Sequence, residues 1–275
     1  MLKFNLKEKS KGAAMNYDLF LNTAVDLALQ AGEIIRNSFG GDFDRGFKSC
    51  PSDLVTEVDR QSEKLITAGL RKAFPEHVII GEENEKAPEI ERDSFTWYVD
   101  PLDGTTNFVY GIPFCSVSIG LCRQDRVLAG VVLDPFRREC FTASAGCGAF
   151  LNGRPVRVDK LRQTLPESLL VTGYPANKSF GERLNRIDYH RIIQRCSNLR
   201  ALGSAALELA YVACGRLTGF WENTLMPWDV AAGSLLVEEA GGRVTDVDGN
   251  KLVLEPYLSI AASNGLIHDE LLKFL

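Results

Sequence analysis

The sequence predicts a layered α/β fold in which two subdomains share a cleft. Three observations favour this class: two amphipathic helical patterns open the chain, a series of short apolar runs follows, and strand and helix patterns then alternate. The 275 residues are enough to bury the core of one large domain or of two small ones. We therefore expect helices packed on sheets, with a cleft between the two halves.

The first elements are predicted to be helices. From Tyr17 to Phe39 apolar residues recur at steps of three and four, and Gly40-Gly41 supplies a stop. A second helical pattern runs from Ser62 to Phe74 and ends before Pro75. Residues 1–15 carry several lysines but no apolar signal segment, so they are predicted to form a disordered extension.

The middle of the chain is predicted to form an antiparallel meander. Short polar or charged turns separate its apolar runs, which is typical spacing for hairpin-connected strands. The first two runs lead directly into groups of acids. Those two apolar runs are His77 to Ile80 and Thr96 to Val99, and the stretches with meander spacing are Ser116 to Cys122, Val127 to Leu133 and Glu139 to Ser144.

A polar, proline-containing stretch from Leu161 to Ser168 marks a predicted boundary. Beyond it, strands alternate with helices, as in an α/β unit. The prediction is thus an N-terminal α+β subdomain over residues 16–160 and a C-terminal α/β subdomain over residues 161–275. The predicted C-terminal elements are the strand Leu169 to Thr172, a helix near Gly181 to Cys196, the helix Ser204 to Cys214, the strand Gly219 to Trp221 and the helix Trp228 to Ala240.

Composition excludes several classes of protein. Lys and Arg number 31 against 36 Asp and Glu, a net charge of −5, which argues against a nucleic-acid binder that relies on phosphate contacts. No apolar run approaches the roughly 18 residues of a membrane span. The seven cysteines have no metal-binding spacing and predict a reduced, cytoplasmic protein without a zinc site.

Three segments place acids directly after or within apolar sequence. They are Ile80-Gly81-Glu82-Glu83, the stretch 97–107 around Asp100 and Asp103, and Pro227-Trp228-Asp229. Desolvation destabilises such carboxylates unless a cation or a hydrogen-bond donor compensates. Oxygen ligands without Cys or His favour Mg²⁺, Mn²⁺ or Ca²⁺, and Mg²⁺ commonly completes its ligand shell with substrate phosphate. The sequence therefore predicts a phosphate-processing metal site.

The segment from Asp100 to Thr105 does not fit two familiar aspartate motifs. An EF-hand would need an acid at the third position and Glu at the twelfth, but Leu102 and Gly111 stand there. A nucleophilic-aspartate phosphatase of the D-x-D-x-T kind would need acids two residues apart. Instead, Pro101 interrupts strand pairing and Gly104 relaxes the backbone before a predicted helix start that can hold phosphate.

Taken together, four segments resemble the inositol monophosphatase family of Mg²⁺-dependent, lithium-sensitive phosphatases, and its bacterial branch most. The similarity covers about residues 16 to 275 and implies the alternating α-β-α-β-α sandwich of the inositol monophosphatase and fructose-1,6-bisphosphatase type. It also implies that most metal ligands lie in the N-terminal subdomain and that the protein is a homodimer. The segments are 53–59, 81–83, 100–108 and 228–242.

The resemblance also implies a set of metal ligands. Glu82, Asp100 and the Leu102 carbonyl would hold one Mg²⁺, and Asp100, Asp103 and Asp229 a second. Two or three ions are implied for each site, with Mn²⁺ as a possible substitute.

Catalytic and substrate roles are carried over from the same resemblance. Asp59 and Thr105 match the pair that orients and deprotonates the attacking water, and Glu222 matches the carboxylate that binds substrate hydroxyls. The turn at 203–205 matches a substrate contact, with Ser204 where the family commonly has Thr. The implied substrate-binding residues are Leu102, Asp103, Gly104, Thr105, Gly203, Ser204, Ala205, Glu222 and Asp229.

The predicted function is Mg²⁺-dependent hydrolysis of a small phosphorylated polyol by in-line attack of activated water. The segment 106–108 and Glu222 resemble the inositol monophosphatases most within the family. The resemblance therefore favours myo-inositol 1-phosphate as the substrate. Fructose bisphosphate, histidinol phosphate, 3′-phosphoadenosine nucleotides and NADP remain open, since relatives with the same metal centre act on them. A regulatory role on another macromolecule, with secondary phosphatase activity, also remains open.

Simpler interpretations stand beside these roles. Glu83 is open between support of a metal ligand and a solvated loop acid, and Thr105 alone could be a helix cap. The stretch Arg183 to Arg200 is interpreted as a solvated helix face rather than a nucleic-acid patch, and its apolar members could contribute to a dimer contact. The histidines are predicted to be surface or packing residues: His77, His190 and His268.

Overall fold

The computed structural model describes residues 17–48, 50, 54–83, 93–174 and 189–275. Within these ranges the chain forms seven α-helices, one 3₁₀ turn and fourteen strands. The predicted extension over residues 1–15 and most of the helix predicted near Gly181 to Cys196 lie outside the described residues.

Two long helices open the described chain. Helix α1 spans Asp18–Ser38 and helix α2 spans Glu57–Ala73. Between them, the three-residue strands β1 (Arg45–Phe47) and β2 (Leu54–Thr56) pair antiparallel. Helix α2 begins five residues before the predicted Ser62, because the Thr56 side chain caps a polar first turn that carries no apolar periodicity.

The middle of the chain forms a seven-stranded sheet in the order β3-β4-β5-β6-β7-β8-β9. Strands β3 and β4 run parallel and every other neighbouring pair in this sheet is antiparallel, which confirms the meander predicted from Ser116 to Ser144. The strands are β3 (Val78–Gly81), β4 (Phe95–Asp103), β5 (Ser116–Arg123), β6 (Arg126–Asp134), β7 (Glu139–Ser144), β8 (Gly148–Leu151) and β9 (Arg154–Val156).

Strand β4 does not end at Pro101. Its pairing with β5 shifts between Asp100 and Asp103, so the residues between them have no partner in β5. A proline cannot donate to a ladder, and an irregularity at this point turns the following side chains. Helix α3 (Thr105–Val109) begins directly after Gly104, whose φ of 96° is left-handed.

The C-terminal part forms a mixed five-stranded sheet in the order β11-β10-β12-β14-β13. Strand β10 runs parallel to β11 and β12, and β14 runs antiparallel to β12 and β13. In chain order the elements are the 3₁₀ turn Leu165–Glu167, β10 (Leu169–Thr172), α4 (Tyr189–Ile193), β11 (Asn198–Arg200), α5 (Ala205–Ala213), β12 (Gly219–Leu225), α6 (Pro227–Glu239), β13 (Arg243–Thr245), β14 (Leu258–Ser263) and α7 (His268–Leu272).

Helices α5 and α6 lie between the two sheets. Their apolar residues share one buried cluster with Phe141 of the large sheet and Phe220 of the small sheet. The approach is close, because a Cβ added at Gly120 of β5 would lie 2.8 Å from the Ala231 side chain of α6. Strands without side-chain bulk at this point therefore let α6 sit directly on the large sheet.

The outer faces are covered by the remaining helices. Helices α1 and α2 pack on the large sheet through a cluster that includes Ile35, Ile66 and Trp97. The 3₁₀ turn, α4 and α7 pack on the small sheet around Trp221 and Leu271. The order helix, sheet, helix, sheet, helix confirms the predicted sandwich, whereas the division near residue 160 into two subdomains stays a prediction.

The structure can be compared with two further predictions, that the cysteines are reduced and that the chain has no membrane span. Six of the seven cysteines are free thiols in the described structure: Cys115, Cys122, Cys140, Cys147, Cys196 and Cys214. Among the described helices, none is both long and apolar enough to cross a bilayer.

Candidate active site

A cleft of about 480 Å³ opens where the ends of the two sheets meet helices α3, α5 and α6. Glu82 follows β3, Asp100 and Asp103 end β4, and Asp229 lies in the first turn of α6. Asp59 lies behind Thr105 rather than on the cleft wall. The other predicted site residues all line the cleft: Glu82, Asp100, Leu102, Asp103, Gly104, Thr105, Gly203, Ser204, Ala205, Glu222 and Asp229.

The charged forms of Asp100 and Asp229 are destabilised by burial and by neighbouring carboxylates of the cleft wall. Burial, followed by the charges of Glu82, Asp103 and Asp229, raises the pKa of Asp100 well above its usual range. Burial raises the pKa of Asp229 in the same way, with Glu82 and Asp103 adding to the effect. Since Asp100 is only 2% exposed, water provides little compensation. The cluster therefore favours a bound cation.

The donor chemistry fits a hard divalent ion. Among the described residues, no group of three or more His, Cys, Asp or Glu side chains is arranged so that it could hold a metal ion without side-chain movement. The acids nevertheless line one cleft, and no thiol or imidazole of the described residues lines it. Backbone N–H groups orient two of them, since Leu102 donates to Asp100 Oδ1 at 3.0 Å and Met226 to Asp229 Oδ2 at 2.7 Å. Oxygen-only, partly oriented ligands suit Mg²⁺ or Mn²⁺.

Asp59 and Thr105 form a hydrogen-bonded pair. The Thr105 hydroxyl donates to Asp59 Oδ1 at 2.9 Å, although the residues are 46 positions apart. The other carboxyl oxygen of Asp59 accepts the Thr56 N–H at 2.8 Å and contacts the Thr56 hydroxyl in the α2 capping box. Burial raises the pKa of Asp59, while these hydrogen bonds oppose the rise. A fixed carboxylate with a raised pKa can accept a proton through Thr105.

Asp103 connects the large sheet to the start of α5. Its Oδ2 accepts hydrogen bonds from the Ser204 hydroxyl at 2.7 Å and from the Ala206 N–H at 2.8 Å. Burial raises the pKa of Asp103 to about 6, although the Ser204 and Ala206 hydrogen bonds act against it. The first turn of α5 thus binds a carboxylate of the protein itself, so Ser204 contacts a predicted metal ligand.

Lys48 contributes a positive charge at the edge of the acidic wall. Its Nζ lies 2.7 Å from Glu82 Oε1 and also pairs with Glu83. Burial, followed by the charge of Glu82, raises the pKa of Glu83 to about 7. The Glu83 N–H donates to Glu63 Oε2 at 2.8 Å, and Gly81 leaves room for the Glu63 carboxylate. Glu83 is therefore held through its backbone by Glu63 and through its side chain by Lys48, next to Glu82.

Glu222 faces the cleft from strand β12, and its side chain is buried against β10. A Cβ at Gly173 would overlap the Glu222 carboxylate, so the absence of a side chain there makes room for it. The exposed Tyr174 lines the cleft next to this position. Glu222 thus lies on the C-terminal side of the cleft, across the sandwich from β4.

Sequence reasoning missed several residues that shape the site. Lys48 Nζ donates to Glu82, which is 34 positions away, and Glu208 accepts the N–H groups of the lining residues Leu202 and Gly203. Asn107 Nδ2 donates to the Phe114 and Leu202 carbonyls at 2.7 Å each. The local sequence offers no signal for Lys48 or Glu208, and only its place in the segment 100–108 marks Asn107. Ser116 extends the network, with its hydroxyl 3.1 Å from that of Ser204.

The histidines take no part in the cleft. His268 is buried between hydroxyl groups, and His77 stacks on Phe74 and Phe95 while its Nδ1 accepts the Trp97 indole N–H at 3.0 Å. These contacts bear out packing roles for both. Only the part of the Arg183 to Arg200 stretch that follows residue 188 is described.

A five-layer sandwich with this acidic, oxygen-lined cleft defines the class of metal-dependent phosphatases. The sequence profile of the inositol monophosphatase family matches residues 16–275, so the chain belongs to that family. The protein is therefore a phosphatase, and the resemblance read from its motifs is confirmed.

Individual relatives agree with this assignment. A Pseudomonas aeruginosa protein named Nus factor SuhB is 46% identical over 239 residues, which cover 86% of this chain and 88% of that protein. An inositol-1-monophosphatase of Synechocystis is 41% identical over 256 residues, 93% of this chain and 88% of that one. The crystal structure of extragenic suppressor protein suhB from Bartonella henselae superposes with a TM-score of 0.84 at 39% identity, covering 92% and 97% of the two chains.

Proposed function

We propose that this phosphatase is Mg²⁺-dependent and hydrolyses myo-inositol 1-phosphate to inositol and phosphate. The observation that carries the proposal is the convergence of Glu82, Asp100, Asp103 and Asp229 on one cleft, next to the hydrogen-bonded Asp59–Thr105 pair. Four mutually repelling carboxylates need cations, and phosphate is the ligand that Mg²⁺ most often shares with protein acids.

Thr105 and Asp59 would together orient and deprotonate the attacking water. Thr105 donates its hydroxyl proton to Asp59, so its oxygen lone pairs can accept a hydrogen bond from an attacking water. As the water attacks phosphorus in line with the departing alkoxide oxygen, it gives a proton to the Thr105 oxygen, whose own proton passes to Asp59, and the alkoxide takes up a proton from solvent water. Bound Mg²⁺ supplies electrostatic stabilisation of the phosphoryl oxygens and lowers the pKa of water.

The preference for a polyol rests on Glu222. Its carboxylate accepts hydrogen bonds, and the sugar-like ring of inositol offers several hydroxyl donors. A site built to hydrogen-bond substrate hydroxyls discriminates strongly against esters that lack them, because those hydrogen bonds then cannot form. Fructose bisphosphate, histidinol phosphate, 3′-phosphoadenosine nucleotides and NADP are the competing substrates.

The test is a phosphate-release assay with Mg²⁺ in which inositol 1-phosphate is compared with those four esters, with and without lithium. We expect inositol 1-phosphate to have the highest kcat/KM and lithium to inhibit its turnover. Faster turnover of a nucleotide would reject the substrate and keep the metal chemistry. Undiminished turnover after removal of divalent ions would reject the metal chemistry.

A second candidate is a regulatory role on another macromolecule. It is favoured by the relatives of 46% and 42% identity that are named Nus factor SuhB. The Asp100→Asn variant separates the two candidates, because it removes a predicted metal ligand at nearly constant volume. Complementation of a deletion strain by the inactive variant would support the regulatory role, and its failure would support the enzymatic one.

A further inference from the structure

The loop segment 201–205 forms one side of the cleft, and its position depends on side chains from outside it. Both the Leu202 and Gly203 N–H groups donate to one oxygen of Glu208, at 2.7 and 3.0 Å. Glu208 lies in the first turn of α5, so a single carboxyl oxygen ties the loop to the helix that follows it.

Asn107 holds the same loop from the opposite side. Its Nδ2 donates to the Leu202 carbonyl at 2.7 Å and, with its second hydrogen, to the Phe114 carbonyl. Gly203 has a φ of 84°, and a Cβ there would lie 3.0 Å from the Asn107 amide. The loop is therefore clamped between α3 and α5, and its backbone conformation is fixed by both contacts.

The clamped loop leads directly into the groups that orient Asp103. Ser204 and Ala206 follow Gly203, and both donate to Asp103 Oδ2. A displacement of the loop would move these donors and allow the Asp103 carboxylate to turn. Groups that orient a metal ligand typically change metal affinity or activity by 10- to 100-fold when they are removed.

Glu208 has an unusual environment for a carboxyl group. It is 1% exposed, and its Oε2 has no hydrogen-bond partner among the described residues. Burying that oxygen is unfavourable, and an apolar side chain of equal length would avoid the penalty. Such a side chain could not accept the two loop N–H groups.

We propose that Glu208 is a positioning residue of the active site, which sets the orientation of Asp103 by fixing the loop at 202–203. The inference rests on the proposed role of Asp103 as a metal ligand. Glu208 itself contacts neither the carboxylate cluster nor the space for substrate. Its effect is transmitted through the loop backbone and through Ser204.

Glu208→Gln and Glu208→Met form a matched pair. Both keep the length of the side chain, but only glutamine retains a carbonyl oxygen that can accept the two N–H groups. The Mg²⁺ concentration that half-saturates the rise in melting temperature is measured without substrate, alongside kcat and KM for inositol 1-phosphate. Glu76→Gln, an exposed site beyond α2, is the control.

We expect Glu208→Met to raise the half-saturating Mg²⁺ concentration and lower kcat, each by roughly 10-fold or more. We expect Glu208→Gln to stay within about threefold of the wild type in both measurements, which is rescue by the conservative variant. A folded Glu208→Met protein with wild-type Mg²⁺ saturation and kcat would overturn the proposal. So would equal defects in the two variants.

The proposal can still be tested if Glu208→Met does not fold or if the proposed substrate is wrong. If Glu208→Met does not fold, Asn107→Leu removes the opposite side of the clamp and should weaken Mg²⁺ saturation by a similar factor, and unchanged saturation would reject the clamp. If the wild type does not hydrolyse inositol 1-phosphate, the proposed substrate is wrong. The Mg²⁺ titration still decides the role of Glu208, because it needs no substrate.

Discussion

At the scale of single residues, the acids of the cleft combine structural and chemical roles. Asp59 closes the capping box of α2 and also accepts the Thr105 hydroxyl. Asp229 accepts the Met226 N–H at the start of α6 while it faces the acidic cluster. Removing either carboxyl would therefore change stability and activity together. Substitutions that keep shape and most hydrogen bonds are more informative.

Thr105 offers such a substitution. Thr105→Val keeps the shape of the side chain but removes the hydroxyl that donates to Asp59, so we expect kcat to fall by about 100-fold or more. Thr105→Ser keeps the hydroxyl and should retain most of the activity. Steady-state assays on both variants check this prediction, and equal activity of the two would contradict a role for the hydroxyl.

Asp100→Asn should make the metal-free protein more stable and the enzyme less active. The asparagine removes one charge from a buried, mutually repelling cluster and can still accept the Leu102 N–H. In EDTA we expect its melting temperature to rise by about 2 °C or more, which corresponds to about 1 kcal/mol for a chain of this size. With Mg²⁺ its kcat should fall by about 100-fold or more.

The control for that prediction is Asp125→Asn, which changes the same charge at an exposed turn outside the cleft. Its melting temperature and kcat should match the wild type. A destabilised Asp100→Asn protein in EDTA would show that the carboxylate repulsion inferred for the cleft is too weak to matter.

The sequence revealed the cleft acids because each follows or lies within an apolar run, where an unpaired charge is unfavourable. It could not reveal Lys48, whose partner Glu82 lies 34 residues away in the chain. Glu208 was hidden for another reason, since it lies in a helix whose neighbouring residues are almost all buried and apolar. Long-range pairs depend on how the sheets are assembled, and local patterns do not encode that.

At the scale of elements, periodicity located the long helices and the meander but not the short or irregular pieces. Strands β1 and β2 have three residues each, too few to show alternation. Strands β13 and β14 follow a helix without an obvious pattern and complete the small sheet. The bend in β4 was anticipated at Pro101, but tertiary pairing with β5 extends the strand to Asp103.

The contact between the ends of β10 and β12 leads to a prediction about specificity. In Gly173→Ala the new methyl group would occupy the place of the Glu222 carboxylate, which must then move. We expect KM for inositol 1-phosphate to rise by roughly 10-fold. For p-nitrophenyl phosphate, which has no ring hydroxyls, kcat/KM should change by less than about twofold.

Kinetics with both esters check that prediction. An equal loss on the two substrates would indicate a general distortion of the cleft rather than displacement of a hydroxyl acceptor. Glu222→Gln provides the comparison, because it keeps the space filled and weakens the acceptor without adding bulk.

Helix α7 is attached to the small sheet through His268. Ser263 Oγ lies 2.9 Å from its Nδ1 and Thr245 Oγ1 lies 2.9 Å from its Nε2. Because the Thr245 hydroxyl also donates to the Asp246 carbonyl at 2.6 Å, the network assigns the ring proton to Nε2. Burial, helped by Arg243, lowers the pKa of His268 to about 4.

The lowered pKa of His268 predicts the direction in which the stability of the protein changes with pH. The folded protein binds the His268 proton less readily than the unfolded chain, whose histidine pKa is about 6.5. Stability from this residue is therefore complete above pH 6.5 and decreases as the pH falls toward 4. Urea midpoints of wild type and His268→Gln should converge over that window, and a constant difference would contradict the assignment.

At the scale of the whole molecule, the acidic cluster joins parts of the chain that are far apart. Glu82 follows strand β3 and Asp100 lies in strand β4 of the large sheet, whereas Asp229 lies in α6 at the centre of the sandwich. Asp103 is hydrogen-bonded to the start of α5, the other central helix. A cation bound by these groups would connect the large sheet to both central helices. Metal binding and global stability should therefore be coupled.

The last prediction concerns that coupling. A ligand that binds only the folded state at 100 times its Kd stabilises it by about 2.7 kcal/mol, so saturating Mg²⁺ should raise the melting temperature by about 5 °C or more. Asp229→Asn should abolish most of the rise, because it removes the only cluster carboxylate contributed by α6, whereas Asp125→Asn should keep it. Scanning calorimetry at constant ionic strength with EDTA, Mg²⁺ or Mn²⁺ measures the three proteins. If Asp229→Asn shows the full rise with Mg²⁺, the stabilising ion binds elsewhere, and the acidic wall of the cleft does not act as one site.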